Sequence, residues 1–348
     1  PDTRLIEQIV NDIFRRLNRS SISDHQGIVG IEDHIAQILS LMQLESLDIR
    51  IIGIWGMGGI GKTTIAKKIY HKLALQFGSR SLVLNVREEL ERDGINVIRQ
   101  KYISELLQKD RRFLLILDDV NDSRQLKDLI LELKNDVRNF GKGSRIILTT
   151  RDKQVLMNAK ADETYKVKEM NSQDSLNLFS IHAFHQNYPI ENYEELSRKV
   201  LDYAKGIPLA LEILGSLLYR RTEEEWEDEL QKLKNHPDDN ILNVLKQSYD
   251  GLDEQQKNIF LDIACFYRGH GEIGVAQKLD RCGFYAKIGM AVLKDRCLIS
   301  ILHGEIEMHD LIQEMGQEIV HQECRHNPGK RSRLWKDEEI RRVLEKNK

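Results

Sequence analysis

The four cysteines of this 348-residue sequence, Cys265, Cys282, Cys297 and Cys324, form no C-x-x-C pair and are scattered through its last third. Such spacing suggests neither a disulfide framework nor a zinc site, so they read as small buried hydrophobes in a reducing compartment. Charge of one sign is lacking too: 52 Lys and Arg against 55 Asp and Glu leave a formal net charge of -3. That balance gives no overall electrostatic footprint for nucleic acid or an anionic membrane, and a nucleic-acid role would need a local patch. No apolar run approaches the roughly 18 to 20 residues of a spanning helix, and the amino end has no secretory hydrophobic region. These absences predict a soluble chain of the cytoplasm or nucleus that reads as part of something longer. No internal repeat is present.

What remains is ample for several cores. The 41% hydrophobic content and the length together predict two to four domains. Leu5, Ile9, Ile13 and Leu17 beside Ile6, Val10 and Phe14 make a helical stripe, read as a linker helix over residues 1–24. Gly27-Ile28-Val29-Gly30 follows, then an amphipathic helix carrying Ile35, Ile38 and Leu39. From Arg50 the pattern changes to short apolar runs, Ile51 to Trp55, Ser81 to Val86, Phe113 to Leu117 and Arg145 to Leu148, separated by helices such as Thr63 to Phe77. Strands buried on both faces have this composition, which predicts a doubly wound parallel α/β domain over 25–168. Strand signals stop beyond Tyr165. Helices over Ser172 to Phe184, Tyr193 to Lys205, Pro208 to Arg220 and Glu223 to Leu233 predict a helical bundle over 169–238, with Gly206 and Pro208 as stop and start signals. Helices over Leu242 to Tyr249, Gln255 to Tyr267 and Gly274 to Cys282, one ending near Arg296, a hairpin around His303-Gly304 and a helix from His309 to Gln322 predict a winged-helix domain over 239–325. Residues 326–348 read as a linker.

Chemistry concentrates in three places. Gly56-Met57-Gly58-Gly59-Ile60-Gly61-Lys62-Thr63 satisfies G-x-x-x-x-G-K-[ST], follows an apolar strand and opens an amphipathic helix, the context that this motif requires. Its glycines let backbone N–H groups converge on phosphate oxygens, and the helix N-terminus adds a favourable dipole. Gly56, Gly58, Gly59, Ile60, Gly61, Lys62, Thr63 and Thr64 are therefore the candidate contacts to ADP or ATP, with Lys62 on the phosphates and Thr63 on Mg²⁺. Asp118-Asp119 closes the strand Phe113 to Leu117 at the sheet edge where open α/β sheets bind ligands. Asp118 takes the metal role and Asp119 that of the acid orienting the attacking water; the alternative for Asp119 is a helix cap. Thr149-Thr150-Arg151 ends the next strand, where a guanidinium can reach a terminal phosphate or simply be solvated. Taken alone, Gly206 to Ala210 is a helix joint, Met308-His309-Asp310 a strand end, and Arg331 to Arg333 a solvated basic turn.

In this order the motifs resemble the NB-ARC module of plant intracellular immune receptors, relatives of the apoptotic protease-activating factor, from about Gly27 to the end. Ser144 to Arg151, Gly206 to Ala210, Phe260 to Phe266 and Met308-His309-Asp310 each look like a family block. Asn121-Asp122 after Asp118-Asp119-Val120, and the run Pro328 to Trp335, are similar to the subclass with an amino-terminal TIR domain. The resemblance implies an ADP-closed resting monomer that opens on exchange for ATP and assembles into a homo-oligomer, flanked in the full protein by TIR and leucine-rich-repeat domains, toward which 326–348 leads. It implies at most slow ATP hydrolysis, and no nucleic-acid or membrane partner. It also places Ile28 and Val29 near the adenine, Pro208 and Leu209 on the nucleoside, and His309 on the ADP β-phosphate. Two departures mark this chain: Ile31 stands where many relatives have arginine, and the stretch from Glu88 to Phe113 is shorter than usual. Two other functions compete, a turnover ATPase acting on a macromolecule and a winged-helix nucleic-acid binder, although Gly274 to Lys294 is not strongly basic.

Overall fold

The computed structural model describes residues 29–103, 112–121, 141–235 and 237–346; the amino-terminal helix expected over 1–24 and Ile28 lie outside them. Five parallel strands, β1 (Arg50–Trp55), β2 (Ser79–Val83), β3 (Phe113–Leu117), β4 (Arg145–Thr150) and β5 (Glu163–Lys166), form one sheet in the order β2-β3-β4-β1-β5. Successive side chains alternate between faces. Ile52, Ile54, Leu114, Ile116 and Ile147 enter one apolar core, while Ile51, Phe113, Leu115, Leu117, Ile146 and Leu148 enter a second. All eleven are buried, and each contributes on the order of 1.5–3 kcal/mol by leaving water. The first core runs on without a break into the helical bundle and the third region.

Two strand expectations are corrected. The run expected over 81–86 is a strand only at Ser79–Val83, because Val86 turns to open the helix Val86–Ile98 and donates its N–H to the carbonyl of Asp118 at 2.8 Å. The edge strand β5 went unread because Glu-Thr-Tyr-Lys is polar and only half-buried, so it offers no apolar run.

Arg145 anchors the first helix, Glu32–Met42. Its guanidinium is fully buried and donates to the carbonyls of Met42 at 2.6 Å, Asp48 at 2.8 Å and Ser46 at 3.0 Å, and to that of Gln43. These include helix-end carbonyls without an intrahelical partner. Burial, with Arg112 and Arg50 nearby, pulls the group's pKa down to about 10.

The bundle helices are Ser172–Phe184, Glu194–Ala204, Pro208–Leu218 and Glu223–Asn235. Trp226 is buried among Phe179, Phe184 and Tyr193, and its ring N–H donates to the carbonyl of Leu218 at 2.9 Å. The third region begins with the helix Asp239–Asp250, capped by the Asp238 carboxylate. Glu254–Asp262, with a capping box from Asp253 and Gln256, Glu272–Arg281 and Ala286–Asp295 follow. The antiparallel pair β6 (Ser300–Leu302) and β7 (Glu305–Glu307) and the helix Asp310–Glu323 complete a winged helix.

Within residues 326–348, read as a linker, Arg331 to Arg333 is not a solvated turn. Arg331 is buried, donating to the carbonyls of Cys324 at 2.8 Å and Arg325 at 3.1 Å and pairing with Glu339 at 2.8 Å. Arg333 pairs with Asp262 at 2.6 Å and donates to the carbonyl of Asn258 at 3.1 Å. A last helix, Asp337–Lys346, follows.

Candidate functional site

Strand register assembles the site. Trp55 pairs with Thr150 and Leu117 with Leu148, so the loops after β1, β3 and β4 leave the sheet side by side at its carboxyl edge. Gly56 to Gly61 turns from β1 into the helix Lys62–Lys72, with Gly56, Gly59 and Gly61 all at positive φ, a conformation that costs glycine little. Space is short as well: a Cβ on Gly59 would lie 2.9 Å from that of Leu209, and one on Gly58 would lie 2.6 Å from Nη1 of Arg151.

Lys62 is 8% exposed and folds back over its own loop, donating to the carbonyls of Gly56 and Met57, both at 2.9 Å. Burial, then the charge of Arg151, hold its pKa down to about 8. Three cations, Lys62, Arg87 and Arg151, stand here beside the paired carboxylates Asp118 and Asp119, with Glu88 and Glu212 also on the wall.

Asp118 is buried, and both its oxygens accept from the Thr63 hydroxyl at 3.0 Å, with Thr149 adding a bond of 2.6 Å. Its backbone is pinned by Val83 and Val86. A hydroxyl and a carboxylate, oxygen donors only, beside a phosphate-cradling loop suit Mg²⁺. Among the described residues no group of three His, Cys, Asp or Glu could hold a metal by itself, so phosphate and water would complete its shell. Asp119 sits at φ +56°, a left-handed conformation that Asp tolerates better than most residues. Its carboxylate lies between two guanidinium groups, 3.1 Å from Arg87 Nη2 and 3.5 Å from Arg151 Nε. The segment after Asn121, where the alternative reading puts a helix for Asp119 to cap, lies outside the described residues.

Gly59, Gly61, Lys62, Thr63, Thr64, Asp119, Arg151, Pro208 and Leu209 line one cavity of about 300 Å³, together with Arg87, Glu212 and Gln247. Sequence reasoning missed these last three, because none belongs to a motif and topology alone brings them here. Val29 is half-buried against the large core. His309 is not in this cavity; it lines another of about 200 Å³ behind the loop, with Met57 and Ile60. There it caps the helix Asp310–Glu323, its Nδ1 accepting the N–H of Leu311 at 3.1 Å, which leaves the proton on Nε2, 3.4 Å from the carbonyl of Lys205. Burial lowers its pKa, opposed by that carbonyl.

The helix Asp239–Asp250 closes the site from the carboxyl-terminal side. Arg151 Nη1 donates to the carbonyl of Val244 at 2.5 Å, directly over Gly58, and Arg87 donates to Gln247 Oε1 at 3.1 Å.

The NB-ARC domain profile matches residues 31–188, the span holding the loop, the paired aspartates and Arg151, and the winged-helix domain of Roq1-like disease resistance proteins matches residues 253–324. The chain belongs to the NB-ARC family. It is 40% identical over 364 positions to the disease resistance protein RUN1 of Vitis rotundifolia, covering 99% of this chain and 27% of that protein. It is 39% identical over 373 positions to the TMV resistance protein N of Nicotiana glutinosa, covering 99% and 32%. The NB-ARC chain thus spans about a third or less of these curated relatives. Since 364 aligned positions exceed its 348 residues by 16, RUN1 carries residues that this chain lacks. A Walker-type ATPase of Pyrococcus abyssi shares the fold, with a TM-score of 0.58 at 14% identity over 83% of this chain and 96% of that one. Among the described residues no helix is long and apolar enough to cross a membrane.

Proposed function

We propose that this NB-ARC chain is the ADP/ATP switch of a plant intracellular immune receptor with a TIR domain before it and leucine-rich repeats after it. ADP would hold it closed as a monomer in the cytoplasm or nucleus, and exchange for ATP would open it for homo-oligomeric assembly in defence signalling. One observation carries this reading: the helix Asp239–Asp250 is bonded to Arg151 directly over Gly58 of the phosphate loop. A ligand in that loop therefore bears on the seam between the nucleotide domain and the third region, and differential affinity for closed and open forms is what shifts such an equilibrium.

Gly56 to Gly61 would cradle the phosphates, Lys62 would leave its loop carbonyls for them, and Thr63 and Asp118 would hold Mg²⁺. That ion neutralises phosphate charge when bound. Pro208 and Leu209 would flank the nucleoside. His309 would report the diphosphate from behind the loop, since its Nε2 bond to Lys205 is long and the easier of its two to exchange.

Fast turnover is less well supported. Asp119, the acid that would orient water, has a guanidinium group at each oxygen, which accords with slow hydrolysis that resets the switch. The test is direct. Lys62→Ala should lower ADP and ATP affinity by about a hundredfold, as for loss of charge-assisted phosphate bonds, in competition against a fluorescent nucleotide. Full affinity for both nucleotides in that variant would remove the proposal.

A further inference from the structure

Arg87 belongs to no motif, yet it occupies a junction. The turn after β2 is tied to Asp118 on both sides, Asp118 donating to the carbonyl of Val83 at 2.9 Å and accepting from the N–H of Val86 at 2.8 Å. The first turn of the helix Val86–Ile98 is thereby held against the paired aspartates, and Arg87 reaches Asp119 at 3.1 Å. The same Nη2 donates to Gln247 Oε1 at 3.1 Å. Arg151 is arranged in the same way: Nε lies 3.5 Å from Asp119 and Nη1 is bonded to the Val244 carbonyl at 2.5 Å.

Val244 and Gln247 are three apart on one helix, hence neighbours on one face. Two guanidinium groups therefore share one carboxylate below and one helix face above. Both stand at the wall between the phosphate cavity and a second cavity of about 420 Å³ that Arg296 also lines. Arg151 Nε, 3.5 Å from Asp119, is buried without a hydrogen bond, so the Arg151 fork is not fully satisfied by the protein.

We propose that Arg87 is a second residue that distinguishes triphosphate from diphosphate, acting with Arg151 to couple a terminal phosphate to the helix Asp239–Asp250. The inference rests on the switch reading above. With a diphosphate, Arg87 stays on Asp119 and Gln247, and the helix remains docked. With a terminal phosphate beside Asp119, the added negative charge repels that carboxylate and draws both forks of N–H donors. Arg87 then gives up Gln247 as Arg151 gives up Val244, and the helix loses two contacts on one face together. Asp119, relieved of its guanidinium partners, is left able to orient water.

The experiment uses the whole chain with ADP and with a non-hydrolysable β,γ-imido analogue of ATP. Arg87→Ala should weaken the triphosphate at least about tenfold more than the diphosphate, the size expected for a charge-assisted bond. Arg87→Lys, with the charge but not the fork, should fall between. Gln247→Ala, on an exposed position, removes a contact made only with the diphosphate, so it should release ADP several-fold faster and shift the affinity ratio toward the triphosphate. Equal or no loss of the two nucleotides in Arg87→Ala, or wild-type ADP release in Gln247→Ala, overturns the inference. If Lys62→Ala loses both nucleotides while Arg87→Ala shows no selectivity, the inference fails alone; if Lys62→Ala loses neither, the switch reading fails and takes the inference with it.

Discussion

Asp119 and Glu314 show how much a single side chain's surroundings decide. Asp119→Asn removes the charge that holds Arg87 and Arg151 while keeping a residue that tolerates its φ of +56°. The expected result is tighter binding of a non-hydrolysable triphosphate and at least about tenfold slower phosphate release, as for loss of a general base; unchanged hydrolysis would exclude Asp119 from the reaction. Glu314, on the helix Asp310–Glu323, is pushed up to about 7, first by burial and then by Asp310, against the opposing Tyr203 hydroxyl. Its folded pKa is above its unfolded one, so the folded chain binds more protons between pH 4.5 and 7 and stability falls as pH rises through that window. His309 has the opposite sign, since burial lowers its pKa and the unfolded chain binds more protons below about 6.5. Glu314→Gln should thus melt higher than wild type at pH 8, by about 2 °C or more, and equal it near pH 4.5. A constant difference across that range in calorimetry would contradict this assignment.

At the scale of elements, the close approach of the loop after β1 and the helix Asp239–Asp250 is the testable feature. A Cβ on Gly58 would meet Arg151 Nη1 at 2.6 Å and the Val244 carbonyl at 3.0 Å. The guanidinium can swing away but the helix backbone cannot yield alone, so Gly58→Ala should loosen that helix. Amide hydrogen exchange over residues 239–250 should rise several-fold in the ADP form, and wild-type protection would mean that the seam is not under this constraint. The elements themselves were largely legible. Continuous apolar runs announced β1, β3 and β4, and Pro208 announced its helix, because burial on both faces and proline's fixed φ leave marks in composition. The polar edge strand β5 left none. Within the site, the glycine-lysine loop, Asp118 and Arg151 were visible because their spacing is fixed by chemistry. Arg87 and Gln247 were not, nor, outside the site, was the buried Arg145, since each is placed by contacts distant in sequence. The packed tail was hidden by its composition: Arg331 and Arg333 look like surface cations until Glu339 and Asp262 stand beside them.

Over the whole molecule, a few polar ties cross the seams beside the continuous apolar core. Asp310 pairs with Arg268 at 2.5 Å and with Lys205 of the bundle at 3.9 Å, next to the contact between His309 and Lys205. Arg296 pairs with Asp152 at 3.3 Å. Asp310→Val strips two cations of their partner at the hinge of the third region. ADP dissociation, followed by chase of a labelled nucleotide, should speed by about tenfold, the size expected for a broken partly buried pair; unchanged dissociation would count against a latch. The tail bears on how such measurements are made. A protein trimmed at Cys324, where the winged-helix match ends, would lack Arg333 and leave the Asp262 carboxylate without its guanidinium. Any looseness of that trimmed protein would come from the scissors and not from the nucleotide, so comparisons between variants belong on chains that keep residues 325–346.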